Sequence, residues 1–545
     1  MKLWIGCWLL VAGLVGGCAS TPARDYYFSP RGDDVMGDGT SARPYRSLAK
    51  ASEIGVHPGD RLLLEGGGAF EGNLVLRGGG SEGAGRQVYI GSYGSGRATI
   101  QAGEGSAVLV KNAGGIVVEN LALVGAGPQR NFGSGLALVN EARGAGRRLK
   151  FIRVKGVEAH GFGMEGIQVG ASGKSGFEDV RIEQCVAYEN AHSGIYVAGS
   201  RERWEGYPHA NVTVRGCVSR DNPGDPDASD ENRSGSGIFL TGVDGAVIEG
   251  CAASGNGAHC RGTRGGPMGI WASESNKVVI QGCRSTGNRT GGRHDGGGFG
   301  LDGGMTKSVM QYNYSSDNDG SGFGLFEYPG ALKWHDNVVR YNVSENDGRR
   351  NGYAGIHVWN GGAGVRGAWV YHNTVVMGVA PREQRPRALW VQTGVVNLRV
   401  MNNIFCAAPS VTVVDVAREQ EGIQFAGNCY WAGGREVSID WEGRPFSSFE
   451  SWRSATGQER GTGWCMDPGF DNRGNGAERV RLNARSPLVD KAVPIPINTG
   501  GRDFAGTALP QGKHMDVGAW EAVLREGITT NVTTPSTRNP RMGLR

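Results

Sequence analysis

Two aspartates frame the stretch "DGGGFGLDGG", residues 295 to 304. Asp302 is a lone charge among glycines and two apolar residues, and a carboxylate seldom interrupts so bare a backbone without cause. Asp295 lies in the loop entering the same strand, and Glu327 follows Phe326 about one repeat later. Glycoside hydrolysis needs such paired carboxylates, about 5–5.5 Å apart for retention and about 6.5–9.5 Å for inversion. Asp302, Glu327 and Asp295 are therefore the candidate acid–base residues, with His357 as an auxiliary group. The "DGG" sequence also gives Asp302 a purely local task, bonding the N–H groups of its own turn.

The elements that carry these residues repeat. "GIQV…VRIEQCVAYEN", "GIYV…VTVRGCVSRDN", "GIFL…AVIEGCAASGN" and "GIWA…VVIQGCRSTGN" align as Gly-Ile-x-apolar, a loop, an alternating strand, a cysteine, and an asparagine five residues later. The cysteines are Cys185, Cys217, Cys251 and Cys283, and the rung continues as Asn313, Asn342, Asn373 and Asn403. A period near thirty residues with a short strand in every unit and no helical periodicity indicates a β-solenoid, one unit to a coil. Buried cysteines then act as small apolar filler, and stacked asparagines bond one another and the turn backbone.

Alternation along each strand sends Ile and the second apolar residue inward and the residue between them outward. Read coil by coil, the outward row is Gln168, Tyr196, Phe239, Trp271, Gly300, Gly324, His357 and Trp390. A second outward row includes Asp302, Phe326, Trp359 and Gln392. Tyr196, Phe239, Trp271, Trp359 and Trp390 are expected to offer exposed aromatic faces to sugar rings, and Gly300 and Gly324 to clear a depression beside Asp302. Overlying loops that bury these rings are the competing expectation. Arg349 and Arg350, in "NDGRRNG", are candidate partners for uronate carboxylates. In "DNPGDPDASDE", Asp225, Asp227 and Asp230 are candidate Ca²⁺ ligands, although the stretch matches no defined calcium loop.

The opening "DYYFSPRGDDVMGDGTSARPYRSLAKAS…VHPGDRLLLEGGGAF" and the ending "SPLVDKA…GGRDFAGTAL…MDVGAWE" resemble the first and last segments of exported polysaccharide-acting β-helix proteins. With the repeat between them, residues 25 to 521 resemble the pectate-lyase-like superfamily. That resemblance implies an all-β, right-handed parallel β-helix with a helical N-terminal cap and an irregular C-terminal one. It leaves the chemistry open, because this fold carries lyases, hydrolases, epimerases and non-catalytic proteins. The calcium-dependent lyase set of Asp clusters with a Lys or Arg base does not map onto this chain residue by residue.

Glycine supplies 95 of 545 residues, against a usual share of ~7%. It follows no Gly-X-Y period and punctuates short β-branched runs, so it marks turns. A net charge of +4 without a basic block argues against a nucleic-acid partner. "MKLWIGCWLLVAGLVGGC" has the lysine, the short apolar core and the small residues of an export signal. It resembles a bacterial lipobox, which implies lipidation of Cys18 and, with Ala19 next, an outer-membrane lipoprotein held only by its anchor.

The expected organisation is a signal over 1–17, a tether over 18–24 and an opening cap over 25–75. The β-helix follows over 76–430, then a closing segment over 431–521 and a loose tail over 522–545. The expected function is an exported, monomeric, polysaccharide-cleaving enzyme, a glycoside hydrolase. The alternatives are a lyase acting on a uronate polymer, with Ca²⁺ as its cofactor, and a non-catalytic glycan-binding lipoprotein.

Overall fold

The structure is a computed structural model. It describes residues 22–523 apart from 84, 142–146, 200–205, 228–233, 264 and 380–383. The signal with Cys18, the candidate ligand Asp230 and the tail from 524 onward lie outside the described residues.

The chain winds as a coil of three sheets, each of 14 strands in which neighbours come from successive turns. Pairing is parallel throughout, except for the final pair Ile439–Trp441 and Arg444–Phe446. The register is the one the repeat dictates. Ile167, Ile195, Ile238, Ile270, Phe299, Phe323, Ile356 and Leu389 stand in one continuous inner row. Each is fully buried in a single core that runs the length of the coil. A one-residue slip would turn the whole row outward, so burial of one face locks the register.

The inner ladders are structural. Cys185, Cys217, Cys251 and Cys283 are buried, and all eight described cysteines are free thiols. Asn313, Asn342, Asn373 and Asn403 pass hydrogen bonds from Nδ2 to the next Oδ1 at 2.9–3.0 Å. Asn428 extends this ladder by another rung. The asparagines that follow the cysteines form a second ladder, Asn190, Asn222, Asn256, Asn288 and Asn318, which ends on Asp347.

Helix α1 (Leu48–Glu53) buries Leu48 and Ala51 against the first coil. Its Ser52 hydroxyl accepts the Val75 N–H at 2.9 Å, covering part of an otherwise open sheet edge. At the far end, α2 (Phe449–Thr456) packs Phe449 and Trp452 on Tyr430 and Phe425. The closing segment departs from expectation after that. Residues 466–522 run back along the flank of the coil, from the last turn at Cys429 to earlier ones. Trp520 joins Tyr314 and Val343 in one cluster, Ala519 N–H donates to Thr374 Oγ1, and Asn498 O accepts from Arg340 and Tyr371. The flank is apolar where strands such as Ile404–Ala407 bury both faces, so it needs a cover of its own.

Candidate functional site

A cavity of about 310 Å³ opens on the outer face of the sheet that carries Gly297–Leu301, Phe323–Glu327 and Ala354–Asn360. Its base comes from the outward row, which is in register as expected: Trp271, Gly300, Gly324, His357 and Trp390 are successive partners. The glycines do make room, but for neighbours in the chain. A Cβ on Gly300 would stand 2.7 Å from the Met268 sulfur, and one on Gly324 would stand 2.6 Å from the Phe326 ring. Met268 and Phe326 lie over the bare backbone and line the cavity above it.

The aromatic row is only partly exposed. Phe239 and Trp271 are buried and stacked face to face at 3.6 Å, with Tyr196 next at 5.1 Å and half-buried. They belong to a second apolar cluster with Met268 and Phe326, so Phe239 is packing and not a sugar platform. Trp271, although buried, lines the cavity with the partly exposed Trp359 and Trp390, while Tyr196 lines a separate depression with Gln168.

Asp295 and Asp302 both line the cavity. The Asp295 carboxylate accepts the Gly266 N–H at 2.7 Å. The Tyr353 hydroxyl accepts the Asp295 N–H at 2.9 Å and donates to Oδ1 at 3.4 Å. Asp302 accepts the Gly303 N–H at 2.8 Å, so it does cap its turn as well as line the cavity. Burial raises the Tyr353 phenol pKa, and the charge of Asp295 and, less strongly, of Asp302 adds to the rise, so one hydroxyl feels both carboxylates.

His357 is 3% exposed. Trp390 stacks on its ring at 4.4 Å, and the Arg387 guanidinium lies 4.1 Å from the Trp390 ring centroid. Burial, with a smaller push from Arg387, lowers the His357 pKa to about 3, so the imidazole is neutral.

Glu327 and the Arg349–Arg350 pair do not stand where expected. Glu327 is fully buried and is not among the residues lining the cavity. The alternation that sends Phe326 outward sends Glu327 to the inner side of the same strand, beside Gly362. Arg349 and Arg350 do not line the cavity either. Arg349 donates to the Val379 carbonyl, and Arg350 donates to that of Thr290 and lies near Asp319. Asp225 accepts the Asp227 N–H in a local turn, and the third candidate Ca²⁺ ligand, Asp230, lies outside the described residues.

Tyr353, Met268 and Arg293 line the cavity and were not foreseen. Tyr353 precedes its strand by one residue, so a reading confined to strand rows passes over it.

A family profile described as a right-handed beta helix region matches residues 150–375. The chain is a right-handed parallel β-helix. No curated protein matches it in sequence. Among solved structures, a GH136 lacto-N-biosidase from Eubacterium ramulus has 18% identity and a TM-score of 0.52, covering 75% of this chain and 67% of that one. XylC, solved in complex with xylose, has 10% identity and a TM-score of 0.51, covering 92% and 98%. At such identities the likeness is one of fold.

Proposed function

We propose that this β-helix is a glycoside hydrolase whose carboxylate pair is Asp295 and Asp302. The observation that carries the reading is that both carboxylates line one aromatic-walled cavity, above the part of the outward row held by Gly300 and Gly324. Asp295 accepts two hydrogen bonds, which favour its anion and suit it to attack the anomeric carbon or to take a proton from water. Asp302 then delivers a proton to the departing glycosidic oxygen. Trp359 and Trp390, both partly exposed, offer aromatic surface against which the sugar rings pack. The fold shared with a lacto-N-biosidase and with XylC agrees with a carbohydrate substrate. The reading extends to the N-terminus: export with lipidation at Cys18 would place the cavity outside the cytoplasm, where extracellular glycans are met.

A glycan-panel digestion with protein lacking the signal tests this, followed by reducing-end detection and ultraviolet absorbance, with and without chelator. New reducing ends without unsaturated product are the expected result, and the anomer formed first reports the carboxylate separation. Unsaturated product would replace the hydrolase with a lyase. Binding without cleavage of any glycan would leave a non-catalytic site.

A further inference from the structure

The Nδ1 atom of His357 is buried and has no hydrogen-bond partner among the described residues, on a ring that lines the cavity. A polar group left unpaired in this way forfeits its hydration and gains nothing in return, so a partner that arrives later is favoured. The ring cannot turn to find one within the protein. Trp390 stacks on it at 4.4 Å, and Phe326 and Tyr353 meet it edge-on at 5.1 and 5.4 Å. Its other nitrogen, Nε2, lies 3.0 Å from the amide nitrogen of Gln392. An amide nitrogen only donates, so Nε2 accepts and the single proton of the neutral ring sits on Nδ1.

We propose that the His357 Nδ1–H is a ligand-binding donor, taking a hydroxyl, ring oxygen or amide carbonyl of an uncharged sugar, and that the site selects neutral sugars over uronates. This rests on the reading of the cavity as a glycan site. The selectivity follows from the charges around it. Asp295, the anion of the pair, already puts one negative charge in the cavity, and the carboxylate of a uronate is repelled by it. Arg293 is the only Arg or Lys among the described lining residues, and it is exposed to water, where its charge is screened. Arg387 is spent on Asp415 at 2.5 Å, and Arg349 and Arg350 are held on backbone carbonyls away from the cavity.

The test uses the full chain without its signal, labelled with ¹⁵N-histidine, and long-range proton–nitrogen correlation spectra. His357 is assigned by the signal missing in His357→Asn. Probes are galactose, N-acetylglucosamine and xylose on one side, galacturonate and glucuronate on the other. The expected spectrum is the Nδ1–H tautomer, with a saturable shift of Nδ1 on adding at least one neutral sugar and binding of the matching uronate weaker by about tenfold or more. By calorimetry, His357→Ala should lose about tenfold in affinity for that sugar, and His357→Asn, whose amide N–H replaces Nδ1–H, should recover most of it. The proposal is overturned by an Nε2–H tautomer, by a uronate that binds as tightly, or by no probe moving the ring. A folded His357→Ala that keeps full affinity also overturns it. If a neutral sugar shifts His357 but no glycan is cleaved, hydrolysis fails and this inference stands. Cleavage with an unmoved His357 ring gives the reverse.

Discussion

One outward row of one sheet is built in two ways. From Tyr196 to Trp271 the coils fill the row with their own rings, stacked at 5.1 and 3.6 Å. From Gly300 to Trp390 the same row holds two glycines, a histidine and a tryptophan, and a cavity of about 310 Å³ opens above them. The backbone register is the same in both halves, so the sheet does not make the difference. Side-chain volume and the flanking segments do: Gly266 and Met268 on one side and Tyr353 on the other wall off space that the glycines leave. The ladder that begins at Asn190 runs beneath both halves, and it too changes. Under the filled half it is all asparagine, and under the hollow half it ends on the fully buried Asp347. A β-helix can thus change the chemistry of a few coils while leaving its period intact.

The widest separation between the halves should be in rate. Asp295→Asn and Asp302→Asn are each expected to lower kcat by about 10²–10⁴-fold, with melting temperatures within about 2 °C of the parent. Initial rates on the cleaved glycan, alongside calorimetric melting, check this, and an active double variant would move the chemistry elsewhere on the coil.

The next effect is a pH dependence under the hollow half. Burial pushes the Asp347 pKa up from 3.8 to about 7, against the hydrogen bonds from Ser344 and Asn318 that lower it. The folded state therefore holds this proton more tightly than the unfolded state does. Its stabilisation is complete below about pH 4 and is lost as pH rises through about 7. Asp347→Asn should match the parent near pH 4 and exceed it at pH 8 by at most ~4 kcal/mol. Denaturant melts across that range measure the slope, which should shrink but not vanish, because burial also raises Asp516 to about 6 and Glu521 to about 7.

The smallest effect belongs to the filled half. Phe239→Ala removes a buried ring from the stack on Trp271 and should cost about 3 kcal/mol of stability. Turnover should stay within about threefold of the parent, since Phe239 does not line the cavity. A Phe239→Ala protein with parental stability and no activity would reverse the roles assigned to the two halves.

Much of this architecture was legible in the chain. The Ile row and the Cys and Asn rungs recur once per coil because a coil must return each residue to the same place, and loops of different length absorb the differences in spacing. Side was legible as well, and the misplacement of Glu327 came from treating a chain neighbour of Phe326 as a neighbour in space when alternation forbids it. What lies over a side chain was not legible. Phe239 and Trp271 point outward as expected and are buried all the same, because they stack on each other and cluster with Met268, Phe326 and Tyr196. Nor did the closing segment show its path, since its apolar residues suit a flank as well as an end.

The sequence by itself determined the coil, its period, the inner ladders, and which side of the sheet each strand residue faces, because these depend on spacing and on the alternation of a single strand. Only the tertiary structure decided which outward residues share a cavity. Tyr353 reaches Asp295 from 58 positions away, Gln392 meets His357 from 35, and the Gly266 N–H reaches Asp295 from 29. Such contacts are set by how loops of different lengths fold over stacked coils, and a repeat carries no record of that.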